Sequence, residues 1–301
     1  MRGWWQDLTD LVLPAECGGC GRPRTVLCPE CRAALSGAAP CRVRPVPAPP
    51  GLPTVHAAAR YADEVRAVLL AHKERGALAL AAPLGTALAE AVRAGLSRAQ
   101  MRDSRSVLLV PVPSARGAVR ARGHDPARRI ALAAAGELRR GEMPARVVSV
   151  LRQRRVVADQ AGLNSRQRLD NLTGALAVAP GGARLLAEGP VVLVDDLMTT
   201  GASLAEAARA VRAATAEAWG GADGTAGCSG VDGPGVYGTT AAAVYAAVAR
   251  EGSEERRAGP MDEAADRRHG VPRMAGEHRA DAMICAAVVA ASPDSFEMNR
   301  N

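Results

Sequence analysis

The chain has 301 residues, enough for one full α/β domain with something smaller beside it. Aromatic residues make up only 2% of it, which excludes a core of large aromatic layers and favours close helix packing through Ala, Val and Leu. The formal net charge is +7, yet residues 111–170 carry thirteen arginines against five acidic residues (Asp125, Glu137, Glu142, Asp159 and Asp170). So local an excess suits a polyanionic ligand such as pyrophosphate or nucleic acid, although a solvated basic surface would give the same count.

Trp4, Leu8, Leu11 and Val12 recur at helical intervals, so residues 4–12 read as a short amphipathic helix whose apolar face must dock on something. Asp7 and Asp10 interrupt its apolar pattern and argue against a signal peptide. No apolar run reaches the length of a membrane span, so no membrane insertion is expected and the chain reads as cytoplasmic. Pro14 ends the first helix.

Two C-x-x-C pairs follow, Cys17 with Cys20 and Cys28 with Cys31. Each tight turn presents two thiolates, and the four together suit one tetrahedral structural Zn²⁺. Disulfides are disfavoured in a reduced compartment, and a redox dithiol would need only one pair. Arg22, Arg24 and Arg32 are placed to offset the negative charge of four thiolates, while Cys41 reads as a spare.

From Cys41 to Pro53 the chain is Pro-rich and reads as a semi-rigid linker at a domain boundary. Val55, Ala57, Ala59 and Tyr61 alternate as in a strand; Asp63 then opens a helix through His72, and a second helix spans about Leu78 to Val92. Lys73 is the only lysine in the sequence, a compact ammonium suited to meeting pyrophosphate. Val107 to Pro113 reads as a buried strand leading into a small basic loop with Ser114 and Arg116, a candidate phosphate loop, and then a helix from Ala127 to about Leu138. Val147 to Leu151 reads as a short strand. The polar, Arg-rich residues 152–175, with Gln160 and Arg166, are long enough to act as a lid.

The most informative stretch is Val191 to Leu204. Val191 to Val194 are apolar without alternation, as in a parallel strand covered on both faces, which puts Asp195 and Asp196 at its carboxyl end. Thr199, Thr200, Gly201, Ala202 and Ser203 follow and lead into a helix. A helix start with hydroxyls and an approachable Gly201 suits a phosphate monoester. The adjacent carboxylates cannot serve that phosphate and suit a ribose cis-diol or a Mg²⁺ ion near it.

This stretch resembles the phosphoribosyl pyrophosphate (PRPP) motif of type I phosphoribosyltransferases. With the cysteine knuckle, His72-Lys73 with Gly76, Val110 to Pro113 with Arg116, Arg122 to Asp125, and Gln160 with Gly162, Leu163, Arg166 and Asn171, the resemblance narrows to ComF-type competence proteins over roughly residues 8–214. It implies an α/β type I phosphoribosyltransferase fold, a mainly parallel sheet with helices on both faces, preceded by a small zinc knuckle. It implies a protein that binds Mg·PRPP or a related ribose phosphate and transfers the phosphoribosyl group to a nitrogen acceptor. Asp195 and Asp196 would be catalytic, Thr199 to Ser203 with Lys73, Ser114 and Arg116 would bind PRPP, and Gln160 and Arg166 would belong to the lid. The other implied role is a non-enzymatic factor in DNA uptake that binds single-stranded DNA and a helicase-like competence protein; a homodimer is left open. His124-Asp125-Pro126 departs from the Phe-Asn-Gln of many members, which leaves His124 as a general acid or a structural loop histidine.

The organisation expected is a helix and knuckle over residues 1–45, a phosphoribosyltransferase-like domain over 54–214, a Gly-rich, mostly disordered insertion over 215–280 and a last strand within 281–292. Ile284 to Val289 is the apolar run left to complete the sheet at its edge.

Overall fold

In a computed structural model of the protein, residues 16–96, 105–155, 167, 171–220 and 284–299 are described. The sequence-predicted helix at residues 4–12, most of the lid including Gln160 and Arg166, and most of the insertion lie outside the described residues.

The centre is a six-stranded sheet in the order β1-β2-β8-β7-β3-β4. Its strands are β1 (Cys41–Val43), β2 (Val55–Arg60), β3 (Val107–Pro111), β4 (Ala145–Val147), β7 (Val191–Met198) and β8 (Ile284–Ala291). All neighbours pair in parallel except β1, which runs antiparallel to β2 at one edge. A separate antiparallel ribbon joins β5 (Leu151–Gln153) to β6 (Leu176–Val178). The stretch Val147 to Leu151, expected as one strand, is thus a crossing between two: β4 ends in the sheet and β5 begins the ribbon.

Alternation of side chains along the strands divides the interior in two. Val192 and Val194 of β7, with Leu109, Ala287 and Val289, face a core shared with α1 (Pro29–Ser36), α2 (Asp63–Glu74), α3 (Ala81–Gly95) and α5 (Pro126–Arg140). Val191 and Leu193, with Leu108, Ala286 and Val288, face the opposite core under α7 (Ala202–Gly220) and the ribbon. The short helices α4 (Arg116–Arg122) and α6 (Gly182–Leu186) complete the described set. The fold is therefore α/β, mainly parallel, with helices on both faces. Among the described residues no helix is long and apolar enough to cross a membrane.

Small residues set the helix spacing. A Cβ placed on Gly85 of α3 would lie 2.4 Å from the Ala133 Cβ of α5, so these helices approach too closely for any side chain there. The close packing expected from the Ala-rich composition is realised at this crossing.

Two segments differ from the sequence expectation. The run Ile284–Ala291 joins the sheet internally, between β2 and β7, rather than at an edge. All eight of its residues are buried, and an apolar run without alternation is what a strand covered on both faces requires. The Pro-rich segment 44–53 is packed rather than free. Pro45 and Pro53 are buried, Arg212 Nη1 of α7 donates to the Gly51 carbonyl at 2.8 Å, and the Arg44 N–H donates to the Ser295 carbonyl at 3.0 Å. Proline rings have no N–H to strand, so a polyproline stretch can lie against a core. The cysteine segment is likewise continuous with the larger core, because Cys17, Leu27, Cys28, Cys31 and Leu35 pack with Val68, Leu80 and Leu84.

Candidate functional site

Chain direction places one crevice at the carboxyl ends of β3 and β7. From β3 the chain crosses through α5 to β4 on one side; from β7 it crosses through α7 toward β8 on the other. Such a divergence between adjacent parallel strands leaves a gap into which both loops open. The loop after β3 holds Ser114 and leads to Arg116, and the turn after β7 holds Thr199, Thr200 and Gly201. Pro111 pairs with Val194, so both loops leave the same edge of the sheet.

Asp195 and Asp196 lie within β7 rather than beyond it. Pairing with β8 continues past them to Leu197 opposite Ala290 and Met198 opposite Ala291, which extends the strand four residues beyond Val194. By alternation Asp196 shares the face of Val192 and Val194, toward α2, and Asp195 shares the face of Val191 and Leu193. Lys73 near the end of α2 meets Asp196: its Nζ lies 3.0 Å from Oδ2. Asp196 is 6% exposed, so this carboxylate is buried, and Lys73 is the one cation paired with it among the described residues. The Asp195 Oδ1 accepts the Asp196 backbone N–H at 2.9 Å.

These contacts set the protonation balance. Burial, followed by the neighbouring charge of Asp196, pushes the Asp195 carboxyl well above its ordinary range. Burial pulls the Lys73 ammonium down, but the charges of Asp196 and Asp195 outweigh it and the net direction is up. Among the described residues one ammonium thus serves two carboxylates, which leaves the cluster capacity for more positive charge. Its oxygen-only donor set suits a hard divalent cation.

The turn into α7 is shaped for a close approach. Gly201 has φ 75°, and a Cβ there would meet Leu52 at 3.1 Å and Pro45 at 3.3 Å, so both backbone and packing demand glycine. The Pro-rich segment therefore holds this turn from one side. The Ala202 N–H points at Thr200 Oγ1 over 3.5 Å, and the Ala205 N–H bonds the Gly201 carbonyl at 2.9 Å. Thr199 is exposed; Thr200 and Ser203 are half-buried. The first-turn amides of a helix have no carbonyl partner inside it, which leaves them for an anion.

Beside this crevice two histidines meet, and the buried His72 ring has no hydrogen-bond partner on either nitrogen among the described residues. His124 places Nδ1 3.2 Å from the Arg122 carbonyl and Nε2 3.2 Å from the His72 carbonyl, which ties its loop to α2. Arg122 reinforces the tie by meeting Glu74 at 2.9 Å. The His72 ring stands edge-on to His124, with centroids 5.6 Å apart, and is 1% exposed. Burial, and then the neighbouring His124, lowers the His72 pKa to about 4, so the ring is neutral near pH 7.

Arg116 is exposed at the start of α4, at the edge of the crevice. The arginines at the base of the expected lid are partly spent on backbone: Arg155 Nη2 donates to Asn171 O at 2.8 Å and Arg152 Nη1 to Ser149 O at 2.8 Å. Like charges there find carbonyl partners without an anion.

A clamp that sequence reasoning missed fixes the ribbon to α7. Glu206, 5% exposed, accepts the Leu176 N–H at 2.9 Å and grips Arg209 through two bonds of 2.7 and 2.8 Å. Arg209 Nη2 returns to the Leu176 carbonyl at 2.9 Å. The only local signal was Glu206 and Arg209 at helical spacing, which does not identify the partner thirty residues away.

The second centre is the cysteine cluster. The Sγ atoms of Cys17, Cys20, Cys28 and Cys31 all lie within 4.8 Å of one another, with Cys20 and Cys28 at 3.6 Å. Tetrahedral Zn–S bonds of about 2.3 Å separate the sulfurs by roughly 3.8 Å, so the four fit one ion. Backbone N–H groups already point at two of them, Cys28 N at Cys17 Sγ (3.3 Å) and Cys31 N at Cys28 Sγ (3.5 Å), as thiolates require. Burial raises the Cys17 pKa, but backbone donors at Cys28, Cys20 and Gly19 outweigh it and bring it to about 6. Of the arginines expected to balance the thiolates, Arg22 pairs with Glu30 at 2.6 Å.

The knuckle is mounted on α2 and α3. A Cβ on Gly18 would lie 2.6 Å from Leu80, and one on Gly19 would lie 3.3 Å from Val68. No protein-family model matches the chain, and no curated protein matches it.

Proposed function

We propose that the crevice between β3 and β7 binds a phosphorylated ribose, PRPP, with Mg²⁺. The observation that carries this reading is the paired Asp195 and Asp196, short of positive charge, set one turn before a glycine-cornered helix start at the carboxyl edge of the sheet. The sequence resemblance to ComF-type proteins of the type I phosphoribosyltransferase class supports the same ligand.

In this reading the amides and hydroxyls from Thr199 to Ser203 hold the 5-phosphate. Asp195 and Asp196 accept hydrogen bonds from the ribose hydroxyls and stabilise positive charge on the ring as the anomeric bond loosens. Arg116 and Ser114 face the pyrophosphate end, and Lys73 turns toward it from Asp196. Bound Mg²⁺ would neutralise pyrophosphate as it leaves. Positioning and electrostatics then suffice for transfer to a nitrogen acceptor.

Binding of single-stranded DNA, with a helicase-like partner, is the second reading, favoured by the exposed arginines of α4 and α5. The acid pair disfavours it inside the crevice, where a phosphodiester chain would be repelled. Calorimetry separates the two. Mg·PRPP should bind saturably, release protons as Asp195 ionises, and lose binding in Asp195→Asn with Asp196→Asn. An oligonucleotide should be indifferent to that double substitution. Unchanged PRPP binding in the double variant would overturn the reading.

A further inference from the structure

The His124 ring lies where two helices end. Nδ1 is 3.2 Å from the carbonyl of Arg122, the last residue of α4, and Nε2 is 3.2 Å from the carbonyl of His72 in the last turn of α2. Carbonyls in the last turn of a helix have no N–H partner inside it, so each is an acceptor open to a side chain. Gly123, with φ 76°, ends α4 by returning its N–H to the Val119 carbonyl, and this turn carries the ring back over both ends. A carbonyl only accepts, and a neutral imidazole has one N–H to give. Both contacts are therefore hydrogen bonds only when the ring carries two protons.

The same helix end carries Lys73. The residues flanking it are each tied outward: the His72 carbonyl to the His124 ring, Glu74 to Arg122 at 2.9 Å, and Arg75 through Nη2 to the Gly18 carbonyl of the knuckle at 3.5 Å. The only lysine in the sequence is thus held from both sides along the chain, and its Nζ reaches Asp196 at 3.0 Å. Of these ties, the one through His124 joins Lys73 to the loop that follows Ser114 and Arg116.

We infer that His124 is a positioning residue for Lys73: its doubly protonated ring clamps the ends of α2 and α4 together, and loss of one proton frees one of them and slackens the hold on Lys73. Around the ring lie His72 and Glu74 of α2, Arg122 of α4, and Asp125, Arg128 and Arg129 at the start of α5. Arg122 is paired with Glu74, and Lys73 with Asp196. Burial, and then His124 itself, holds the His72 pKa at about 4, so that ring stays neutral and does not compete for the proton. The carbonyl ends of both helices turn partial negative charge toward the His124 ring. The inference stands on these contacts and not on the proposed ligand of the crevice.

Because the chain has one lysine, carbon-13 at the lysine Cε gives a single NMR signal that reports on Lys73 in the full-length protein. As pH falls, that signal should step at the midpoint read from the ring nitrogens of His124. Amides of residues 73–75 should be protected roughly tenfold more below the midpoint than above it, once the intrinsic pH dependence of exchange is removed. His124→Phe keeps a ring and removes both donors; it should abolish the step and the gain in protection while the amides of β7 stay protected. Asp195 also titrates above its ordinary range, so the step that counts is the one that matches the ring and vanishes in His124→Phe. The pH series on the unaltered protein needs no variant: a Lys73 signal indifferent to the ring's titration overturns the inference. So does a step with no change in the exchange of residues 73–75, which would be charge felt at a distance, or a step that survives in His124→Phe.

Discussion

Replacing Glu206 with Ala tests how the ribbon is held over the sheet. The substitution leaves the Leu176 N–H, in a residue 4% exposed, without its acceptor, a loss of roughly 1–3 kcal/mol. It also removes the grip on Arg209, whose side chain is 46% exposed and recovers solvation in water, so that part adds only about 0.5–1 kcal/mol. The sum is about 3 kcal/mol, which for a domain of this size lowers Tm by roughly 6–12 °C. Glu206→Gln keeps an acceptor for Leu176 and should lose about a third as much. The sign with pH follows from the shift. Burial raises the Glu206 pKa, but Arg209 and the Leu176 N–H outweigh it, so the folded value lies below the ordinary 4.5. Its stabilisation is therefore present above that ordinary value and is lost as pH falls through the folded value. Thermal denaturation followed by circular dichroism at neutral and acid pH is the assay, and the gap between wild type and Glu206→Ala should narrow in acid. A Tm within a degree or two of wild type at neutral pH would refute the clamp.

Two other perturbations follow from the fold. Elemental analysis should find one zinc per chain, and Cys28→Ser should abolish it and loosen α1 from α2, because Cys28 is fully buried between the knuckle and the main core; a metal-free protein with an equally protease-resistant knuckle would contradict this. A chain ending at residue 220 should fail to fold cooperatively because β8 sits between β2 and β7, whereas replacing residues 221–283 by a flexible bridge should leave a cooperative transition. Equal stability of the two would remove β8 from the sheet.

Much of the crevice was legible because its signals are local. Val191 to Val194 announce a buried strand, the acids and the Thr-Thr-Gly turn follow in chain order, and four cysteines at paired spacing converge without help from distant residues. What eluded the sequence depends on distance along the chain. The Lys73 contact with Asp196 joins α2 to β7, and nothing near either residue encodes it. The Pro-rich segment reads as a linker by composition, yet Leu52 and Pro45 pack against Gly201, since rings and an apolar side chain bury wherever a wall is offered. Ile284 to Val289 reads as the missing edge strand when the remaining apolar runs are counted, yet its unbroken apolar pattern suits the interior position it occupies. The same unbroken apolar pattern marks β7, also an interior strand.

Diffraction from crystals grown with Mg²⁺ and PRPP tests the central claim most directly. The account predicts the 5-phosphate on the amides of Thr199 to Ser203, the ribose hydroxyls within hydrogen-bond reach of Asp195 and Asp196, and Lys73 drawn from Asp196 toward the pyrophosphate. Ligand density elsewhere, with the Lys73 bridge to Asp196 intact and the turn before α7 empty, would contradict it.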